Sequence, residues 1–600
     1  MKRRRLSGVL RRRAARRAGA RAEHAGRGSA RARPYSHRLR LLFAFVLLAL
    51  AALGLLGRAV DLQLVDHSFL TQQGDERFSR IASIPAHRGD ITDRNGEPLA
   101  VSTPVDSVWI DPLGLDGDLQ DLPQLAHVLG LDRAALMRRV TSNMDRQFLY
   151  VARGVDPAEA RRVAALDLAG VNLSREYRRY YPAGAVTGHV LGFTSIDDTG
   201  QDGLELAFDS WLAGQDGEKR VIQDSTGQEV EDVDSIRAVR PGRDLVLSLD
   251  LRIQYLAYRE LQSAVLANRA RSGSVVVIDV DTGEILAMAN QPAFNPNNRD
   301  QLAAADYRNR AVTDLFEPGS SIKPFIVAAG LASGRFEPHS LIDTHPGFIQ
   351  VGDRTFEDEH DLGTVDLATV LAKSSNVGMA KLALQLQPRQ IWSTLSRFGF
   401  GQITDSAFPG ESAGVFTNYA HWRAITIATL SHGYGISVTP LQLASAYATL
   451  GAMGVRRPVS FLRVDDPPPG ERVLPERVAR ELVDLLEAVT TQEGATGVRA
   501  RIPGYSVAGK TGTAYKFIDG SYSKDHYTSI FAGVAPASAP RLAAAVVIDD
   551  PTAGEHLGGD VSAPVFSAVV GGALRLLGVA PDELSSPDAP LPYNQQVASR

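Results

Sequence analysis

Six hundred residues are too many for one hydrophobic core and imply two or three folded domains, and a composition of 44% hydrophobic and 22% charged residues is that of an ordinary globular chain. The formal net charge of −4 conceals an asymmetry: residues 1–40 hold the clusters "MKRRR", "RRRAARR" and "RARPYSHRLR" against a single acid, Glu23, so the remainder is acidic. Cysteine is absent, which excludes disulfides, thiolate catalysis and cysteine-ligated metals and is compatible with any redox compartment.

A basic tail alone points toward nucleic acid, but its continuation argues for a membrane. "LLFAFVLLALAALGLLG", Leu41 to Gly57, carries no charge and is closed by Arg40 and Arg58. About 17–25 apolar residues span a bilayer, so residues 41–57 are expected to form a transmembrane helix. The positive-inside rule places 1–40 in the cytoplasm and everything after Arg58 outside. A cleaved signal peptide is the rival, yet cutting at Ala52-Leu53-Gly54 would fall inside the apolar run. The tail itself reads first as a topology determinant, with anionic lipid or a cytoplasmic protein as other partners.

Beyond the anchor, "IPAHRGDITDRNGEPLAVS" (84–102) predicts a hairpin with a tight primed turn at Asn95-Gly96. From about 119 to 170 the pattern is helical. Asp156-Pro157-Ala158-Glu159 offers an N-cap, a first-position proline and a capping-box glutamate. "YYPAGAVTGHVLGFTSIDDTGQDGLE" then reads as strand-rich. The region from 58 to 240 contains no convincing catalytic cluster and is read as a mixed α/β domain for positioning and partner contact.

A boundary is expected near 240. Asp250 then caps a helix whose Ile253, Leu256, Ala257, Leu261, Ala264 and Val265 share one face. "SGSVVVIDVDTGEILAMAN" predicts a hairpin through Asp281-Thr282-Gly283. "GYSVAGKTGTAYKF", "YTSIFAGVAPAS" and "RLAAAVVIDDP" predict three later strands. Strand groups at both ends of 241–580 with helices between them imply one antiparallel sheet closed late, an α+β arrangement. Residues 581–600, rich in Pro, Ser and Asp, are expected to be disordered.

Chemistry first shows in "EPGSSIKPF", residues 317 to 325. Residues three apart on a helix share a face and residues two apart do not, so Ser320 faces Lys323 and Ser321 does not. Ser521-Tyr522-Ser523-Lys524 matches the same S-x-x-K pattern, but it follows Asp519-Gly520 in a loop between strands, where no helix aligns its ends. Ser374-Ser375-Asn376 falls in a break between helical segments, where a capping pair is the plain structural alternative. Lys510-Thr511-Gly512-Thr513 lies on a predicted strand, where glycine can simply mark a close backbone approach.

In this order the three stretches resemble the S-x-x-K, S-x-N and K-[ST]-G signature of penicillin-binding proteins and serine β-lactamases. More closely, "RGDITDRNG", "RYYPAG", "FEPGSSIKPF", "KSSNVGMAKLAL", "SHGYGISVTPLQLASAYATLG", "AGKTGTA" and "FAGVAPAS" resemble class B penicillin-binding proteins, the division-specific (septal) transpeptidases in particular, from Arg40 to about residue 580. The resemblance implies an anchored enzyme with a non-catalytic pedestal of the dimerisation type and a penicillin-binding domain. It further implies attack on the D-Ala-D-Ala bond of a peptidoglycan stem peptide, an acyl-serine intermediate, transfer to an amine on a neighbouring strand, and covalent inhibition by β-lactams. A serine is a weak nucleophile until a base takes its proton. Ser320 would be the nucleophile, Lys323 its base and Ser374 a proton relay. Asn376 would hold the substrate amide, Lys510 would supply positive charge, and Thr511, Gly512 and Thr513 would line the carboxylate subsite. The backbone N–H groups of Ser320 and Thr513 would form the oxyanion hole. Tyr434 resembles a tyrosine beside the family's acyl-binding cleft. Tyr515 stands where some septal relatives carry arginine.

An elongation-specific paralogue, a β-lactam hydrolase or sensor on the same fold, and a non-catalytic scaffold are the alternatives. No carboxylate stands out as the water-activating base that a hydrolase needs, and a scaffold would not require Lys323, Ser374 and Lys510 together. Glycan polymerisation is expected from a membrane-embedded glycosyltransferase partner of the division machinery, at the septum of the bacterial inner membrane, with the catalytic domain periplasmic. No metal, organic cofactor or nucleic acid is implied.

Overall fold

The structure, a computed structural model, describes residues 37–65, 79–115, 119–223, 229–299 and 303–583. Most of the arginine-rich tail (1–36) and most of the terminal tail (584–600) lie outside the described residues. The chain forms two compact units, Met1–Ser79 and Arg80–Arg600. In the first, helix α1 (His37–Val60) runs unbroken through the apolar stretch. Its 24 residues rise about 36 Å, more than the ~30 Å of a bilayer's hydrocarbon core. Among the described residues it is the one helix long and apolar enough to cross a membrane.

From Ser79 onward the chain forms β1 (Ser79–Ile84), β2 (Ile91–Thr92), β3 (Pro98–Ile110), α2 (Leu122–Val128), α3 (Arg133–Thr141), β4 (Leu149–Val155), α4 (Pro157–Ala164), β5 (Val171–Tyr180), β6 (Gly217–Gln223), β7 (Glu229–Arg237) and β8 (Leu245–Val246). β8, β2, β3 and β4 are neighbours in that order, β5 pairs with β3, and β1, β6 and β7 form a separate sheet. Val108 and Ile110 of β3 pack with Leu125, Leu136, Val140 and Val163 of the helices into a core of their own.

Four local expectations differ from the fold. The turn between β2 and β3 is not a primed pair, because only Gly96 takes positive φ (90°). Asp93 organises it instead: its Oδ1 accepts from the N–H groups of Asn95 (2.7 Å) and Glu97 (2.9 Å). The stretch read as helical up to 170 contains β4, whose Leu149, Val151 and Val155 are buried at strand spacing, a run too short for periodicity to settle. Asp156 does stand at the N-cap of α4, but its side chain caps nothing. The stretch read as strand-rich is mostly short helical turns, Gly184–Val186 and Gly188–Leu191, with strands of only two and three residues at Phe193–Thr194 and Gly200–Asp202.

The remainder contains α6 (Leu251–Ala267) — α5 being the short helix Gly203–Ala207 — then β9 (Ser272–Asp279), β10 (Ile285–Gln291), α7 (Lys323–Ala332), α8 (Asn376–Leu384), α9 (Pro440–Gly451), α10 (Glu476–Thr491), β11 (Ala508–Ile518), β12 (Ser521–Ala535), β13 (Leu542–Asp549) and α11 (Ala563–Leu576). The sheet order is β10-β9-β13-β12-β11, antiparallel throughout. Strands from both ends of the segment therefore share one sheet, and β11, which carries Lys510-Thr511-Gly512, is its edge. Every residue of β9 is buried because both faces are covered. Val276 and Ile278 face the helices around α7, whereas Val275 and Val277 face α6 and α11.

Candidate active site

Pro318 and Gly319 turn the chain into a 3-10 segment, Gly319–Ile322, which runs directly into α7 at Lys323. In a 3-10 turn residues i and i+3 eclipse, so the expectation that Ser320 shares a face with Lys323 rests on a tighter geometry than an α-helix. Ser321 is wholly buried, and its Oγ donates to the Pro318 carbonyl at 2.6 Å. Ser320 is half-buried, and its hydroxyl forms no hydrogen bond with the described residues.

Lys323 is completely buried. Its Nζ donates to the Ser374 carbonyl (2.6 Å), Ser374 Oγ (3.1 Å) and Asn376 Oδ1 (2.9 Å), and Ser320 is not among these partners. Burial pulls its pKa down to about 7, against the Asp358 carboxylate, which raises it. A neutral amine offers a lone pair that two of these acceptors, both carbonyl-type oxygens, cannot answer. Only the Ser374 hydroxyl can turn and donate to it.

Ser374 sits in the left-handed region (φ 57°), a conformation costing a non-glycine residue about 1–2 kcal/mol. Asp358, which no motif or periodicity marks in the sequence, holds it there. It follows the hairpin Phe348–Val351/Arg354–Glu357, and its carboxylate accepts from Ser375 Oγ (2.5 Å), Asn376 N–H (2.5 Å) and Val377 N–H (3.1 Å). Ser375 caps α8 through Gly378 N–H, so the capping reading is right for Ser375 and leaves Ser374 free. Asn376 Nδ2 donates to the Glu357 carbonyl at 3.1 Å, which fixes the amide with its oxygen toward Lys323 and leaves one N–H unused.

Across the cleft, Lys510 is wholly buried and donates to the Thr511 carbonyl and Oγ1, both at 3.2 Å. Burial and the neighbouring Lys323 charge both depress its pKa. Thr511 Oγ1 donates to Thr496 Oγ1 at 2.7 Å, so Thr496 joins the site from a loop with no sequence signal. Thr513 Oγ1 accepts from Gly558 N–H at 3.0 Å, leaving its own hydroxyl proton available. Gly512 is glycine because a Cβ there would stand 2.9 Å from the Pro318 carbonyl oxygen.

The direction of the backbone follows from one contact. Tyr515 N–H donates to Tyr434 Oη at 3.1 Å, away from the sheet. Peptide groups on a strand alternate with period two, so Thr513, two residues back in unbroken register with β12, turns its N–H and C=O to the same open edge. Tyr434 stands there edge-on to Tyr522 (5.3 Å), and His432 packs on Phe356 and Tyr434. Burial lowers the His432 pKa to about 3. His432 lies beside Tyr434 in "SHGYG", where its pairing with the site was not legible. The second S-x-x-K copy opens β12 after a turn at Asp519-Gly520, with Ser521 paired to Ile518, and no helix aligns it.

Two family models match the chain: "Penicillin-binding Protein dimerisation domain" over residues 83–247 and "Penicillin binding protein transpeptidase domain" over residues 273–571. The peptidoglycan D,D-transpeptidase FtsI of Escherichia coli is 45% identical over 561 residues, 92% of this chain and 94% of that protein. The probable peptidoglycan D,D-transpeptidase PbpC of Pseudomonas aeruginosa is 42% identical over 557 residues, covering 93% and 98%. The crystal structure of a peptidoglycan synthetase from Bifidobacterium adolescentis superposes with a TM-score of 0.67 at 25% identity, over 85% of this chain and 98% of that one. With three motifs gathered around one buried lysine and relatives of this extent, the chain belongs to the class B penicillin-binding proteins and is a serine-type peptidoglycan D,D-transpeptidase.

Proposed function

We propose that the enzyme cross-links stem peptides of the septal wall through an acyl-ester on Ser320. The observation that carries this reading is the Lys323 amine, buried and bonded to Ser374 and Asn376 one tight turn from an unencumbered serine. Ser320 Oγ attacks the carbonyl carbon of the penultimate D-Ala as its proton passes to Lys323. The oxyanion is met by the N–H groups of Ser320 and Thr513, each such donor contributing about 2.7–4 kcal/mol. The C–N bond then breaks, and the departing D-Ala nitrogen takes a proton relayed from Lys323 through Ser374. An amine of a neighbouring stem peptide attacks the ester, yields its proton by the same route, and returns Ser320 to the hydroxyl form. A β-lactam opens on the same serine. Asn376's spare N–H holds the substrate amide, and Tyr434 borders the acyl chain. The terminal carboxylate is received by Thr511, Thr513 and Lys510, whose charged form an incoming anion favours.

The domain division at about 58–240 and 241–580 places this chemistry in the second part. Residues 1–40 lie in the cytoplasm and the catalytic part in the periplasm, on the charge asymmetry across α1. A membrane-embedded glycosyltransferase of the division machinery supplies the glycan.

The test is labelling of the full chain in detergent with a fluorescent penicillin, read by denaturing gel and intact mass. Stable label lost in Ser320→Ala and kept in Ser321→Ala and Ser521→Ala is expected. Label persisting in folded Ser320→Ala, or rapid turnover of a chromogenic β-lactam, would overturn the reading.

A further inference from the structure

The turn that carries Ser320 is gripped by a carboxylate with no part in the steps above. Glu317, three residues before the nucleophile, places a single oxygen, Oε1, between two donors: Gly435 N–H at 2.8 Å and the Tyr522 hydroxyl at 3.0 Å. Its Oε2 has no hydrogen-bond partner among the described residues. Gly435 belongs to the turn His432–Gly435, whose Gly433 carbonyl accepts from Gly319 N–H at 3.2 Å. That turn is pressed close: a Cβ on Gly433 would stand 2.0 Å from the Gly319 carbonyl oxygen. Tyr522 belongs to the opposite wall, at the start of β12. Its ring meets Tyr434 edge-on, and Tyr434 in turn receives the N–H of Tyr515 on β11. The contacts thus run from the nucleophile turn through Glu317 to the hairpin, and back through Tyr434 to the strand that presents Thr513.

We propose that Glu317 and Tyr522 form a clamp that sets the distance between the Ser320 turn and the oxyanion strand. Glu317 is a positioning residue in this account, which rests on Ser320 as nucleophile and Thr513 N–H as an oxyanion donor. The strand needs such a tie. The register of β11 with β12 shifts after Tyr515, and Tyr515 and Phe517 are 44% and 64% exposed, so packing alone does not fix the hairpin's end. An oxyanion donor acts only within about 2.7–3.1 Å of the developing charge. Displacement of about 1 Å can cost a hundredfold in rate. Because both donors converge on one oxygen, charge is not required: a glutamine oxygen in the same place completes the clamp, and alanine does not. Burial of Glu317, which raises its carboxyl pKa, accords with a group held for geometry.

The experiment measures acylation of the full chain in detergent by a fluorescent penicillin, separating the limiting acylation rate from the dissociation constant of the non-covalent complex, with thermal melts alongside. Glu317→Ala is expected to lose about ten- to a hundredfold in limiting rate with the dissociation constant within about threefold of wild type. Glu317→Gln stays within about threefold of wild type in both. Tyr522→Phe loses part of the rate, and the double variant is no slower than Glu317→Ala, as for two halves of one contact. A wild-type rate in Glu317→Ala, equal losses in the Gln and Ala variants, or additive losses in the double variant would each overturn the clamp. If Glu317→Ala does not fold, Tyr522→Phe decides, an unchanged limiting rate overturning it. Failure of the underlying reading is seen separately, as label persisting in Ser320→Ala.

Discussion

At Lys323 burial and a nearby carboxylate act in opposite senses, and burial is the larger: the amine titrates near 7 in place of its usual value far above neutrality. The sign for catalysis follows directly. The neutral amine is the base, so the acylation rate is full above the folded pKa and lost as pH falls through it, by about tenfold per unit below 7. Penicillin acylation measured from pH 5 to 9 should show that single rise, and a flat profile would count against Lys323 as the base. Lys323→Arg separates charge from basicity. A guanidinium stays protonated throughout this range, so the variant keeps a cation in the site and is expected to lose at least about a thousandfold in acylation, within the range that general-base catalysis supplies. Ser321 makes the converse case. Its hydroxyl serves only the Pro318 carbonyl, so Ser321→Ala should acylate within about threefold of wild type while losing about 1 kcal/mol of stability.

Between elements, the site depends on two approaches closer than ordinary packing. The hairpin 348–357 delivers Asp358 to the start of α8, where three hydrogen bonds hold a turn that Ser374 would not otherwise adopt. Asp358→Ala frees that turn, so Ser374 and Asn376 leave Lys323 together. A loss of about ten- to a hundredfold in acylation is expected, with Asp358→Asn milder because one amide oxygen still accepts from both backbone N–H groups. The other approach is β11 against the nucleophile turn. Gly512→Ala would drive a methyl group against the Pro318 oxygen and Ile530, part the strand from Ser320, and slow acylation by a comparable factor while the sheet persists. These contacts also show what the sequence could tell. Ser320 with Lys323, and the presentation of Thr513 on β11, follow from helical and strand periods acting over two or three residues, which a single sequence displays. Asp358 and Thr496 reach the site from loops sixteen and fifteen residues away from Ser374 and Thr511, and no local period marks them. Glu317 and His432 stood inside the quoted motifs, but their partners, Tyr522 and Phe356, come from other parts of the fold. In the pedestal the misreadings share a cause: β4 and the turns of 184–191 are too short for either period to dominate, so tertiary packing decided them.

The whole molecule joins this chemistry to a region that performs none, and beside that region's apolar core lies a buried polar cluster. Glu205, fully buried on α5, receives Arg88 Nε at 2.8 Å on one carboxylate oxygen and Arg179 Nε at 2.6 Å on the other. Arg88 also donates to Asp209 at 2.7 Å, and Arg179 to Ser102 Oγ at 3.0 Å. Such a cluster adds little net stability while intact, but removing one partner leaves buried charge uncompensated, at about 3–5 kcal/mol. The junction with the catalytic part is an apolar core, in which Ile91, Leu99, Leu191, Leu204 and Leu212 share one buried cluster with Val276, Ile278, Phe325 and Ile326, and polar contacts join it at the loop of "RGDITDRNG". Asp93 Oδ2 accepts from the N–H of Leu251 at 3.0 Å, Asn95 Nδ2 donates to Asp250 at 3.2 Å, and Arg94 pairs with Glu284 at 3.2 Å. Damage inside the pedestal is therefore carried across the boundary by that shared core, of which Leu204, beside Glu205, is part. Calorimetry of Glu205→Ala is expected to show one transition, shared by the parts on either side of the proposed boundary near 240. That transition moves down as a whole, and penicillin acylation raises it. The acylation rate constant per folded molecule stays that of wild type, and Glu205→Gln, which keeps one acceptor for one arginine, falls between. Two transitions, with acylation raising only one, would mean that pedestal and catalytic domain melt as separate bodies. The shared core would then be too weak a link to carry a signal from a partner bound on the pedestal to the serine.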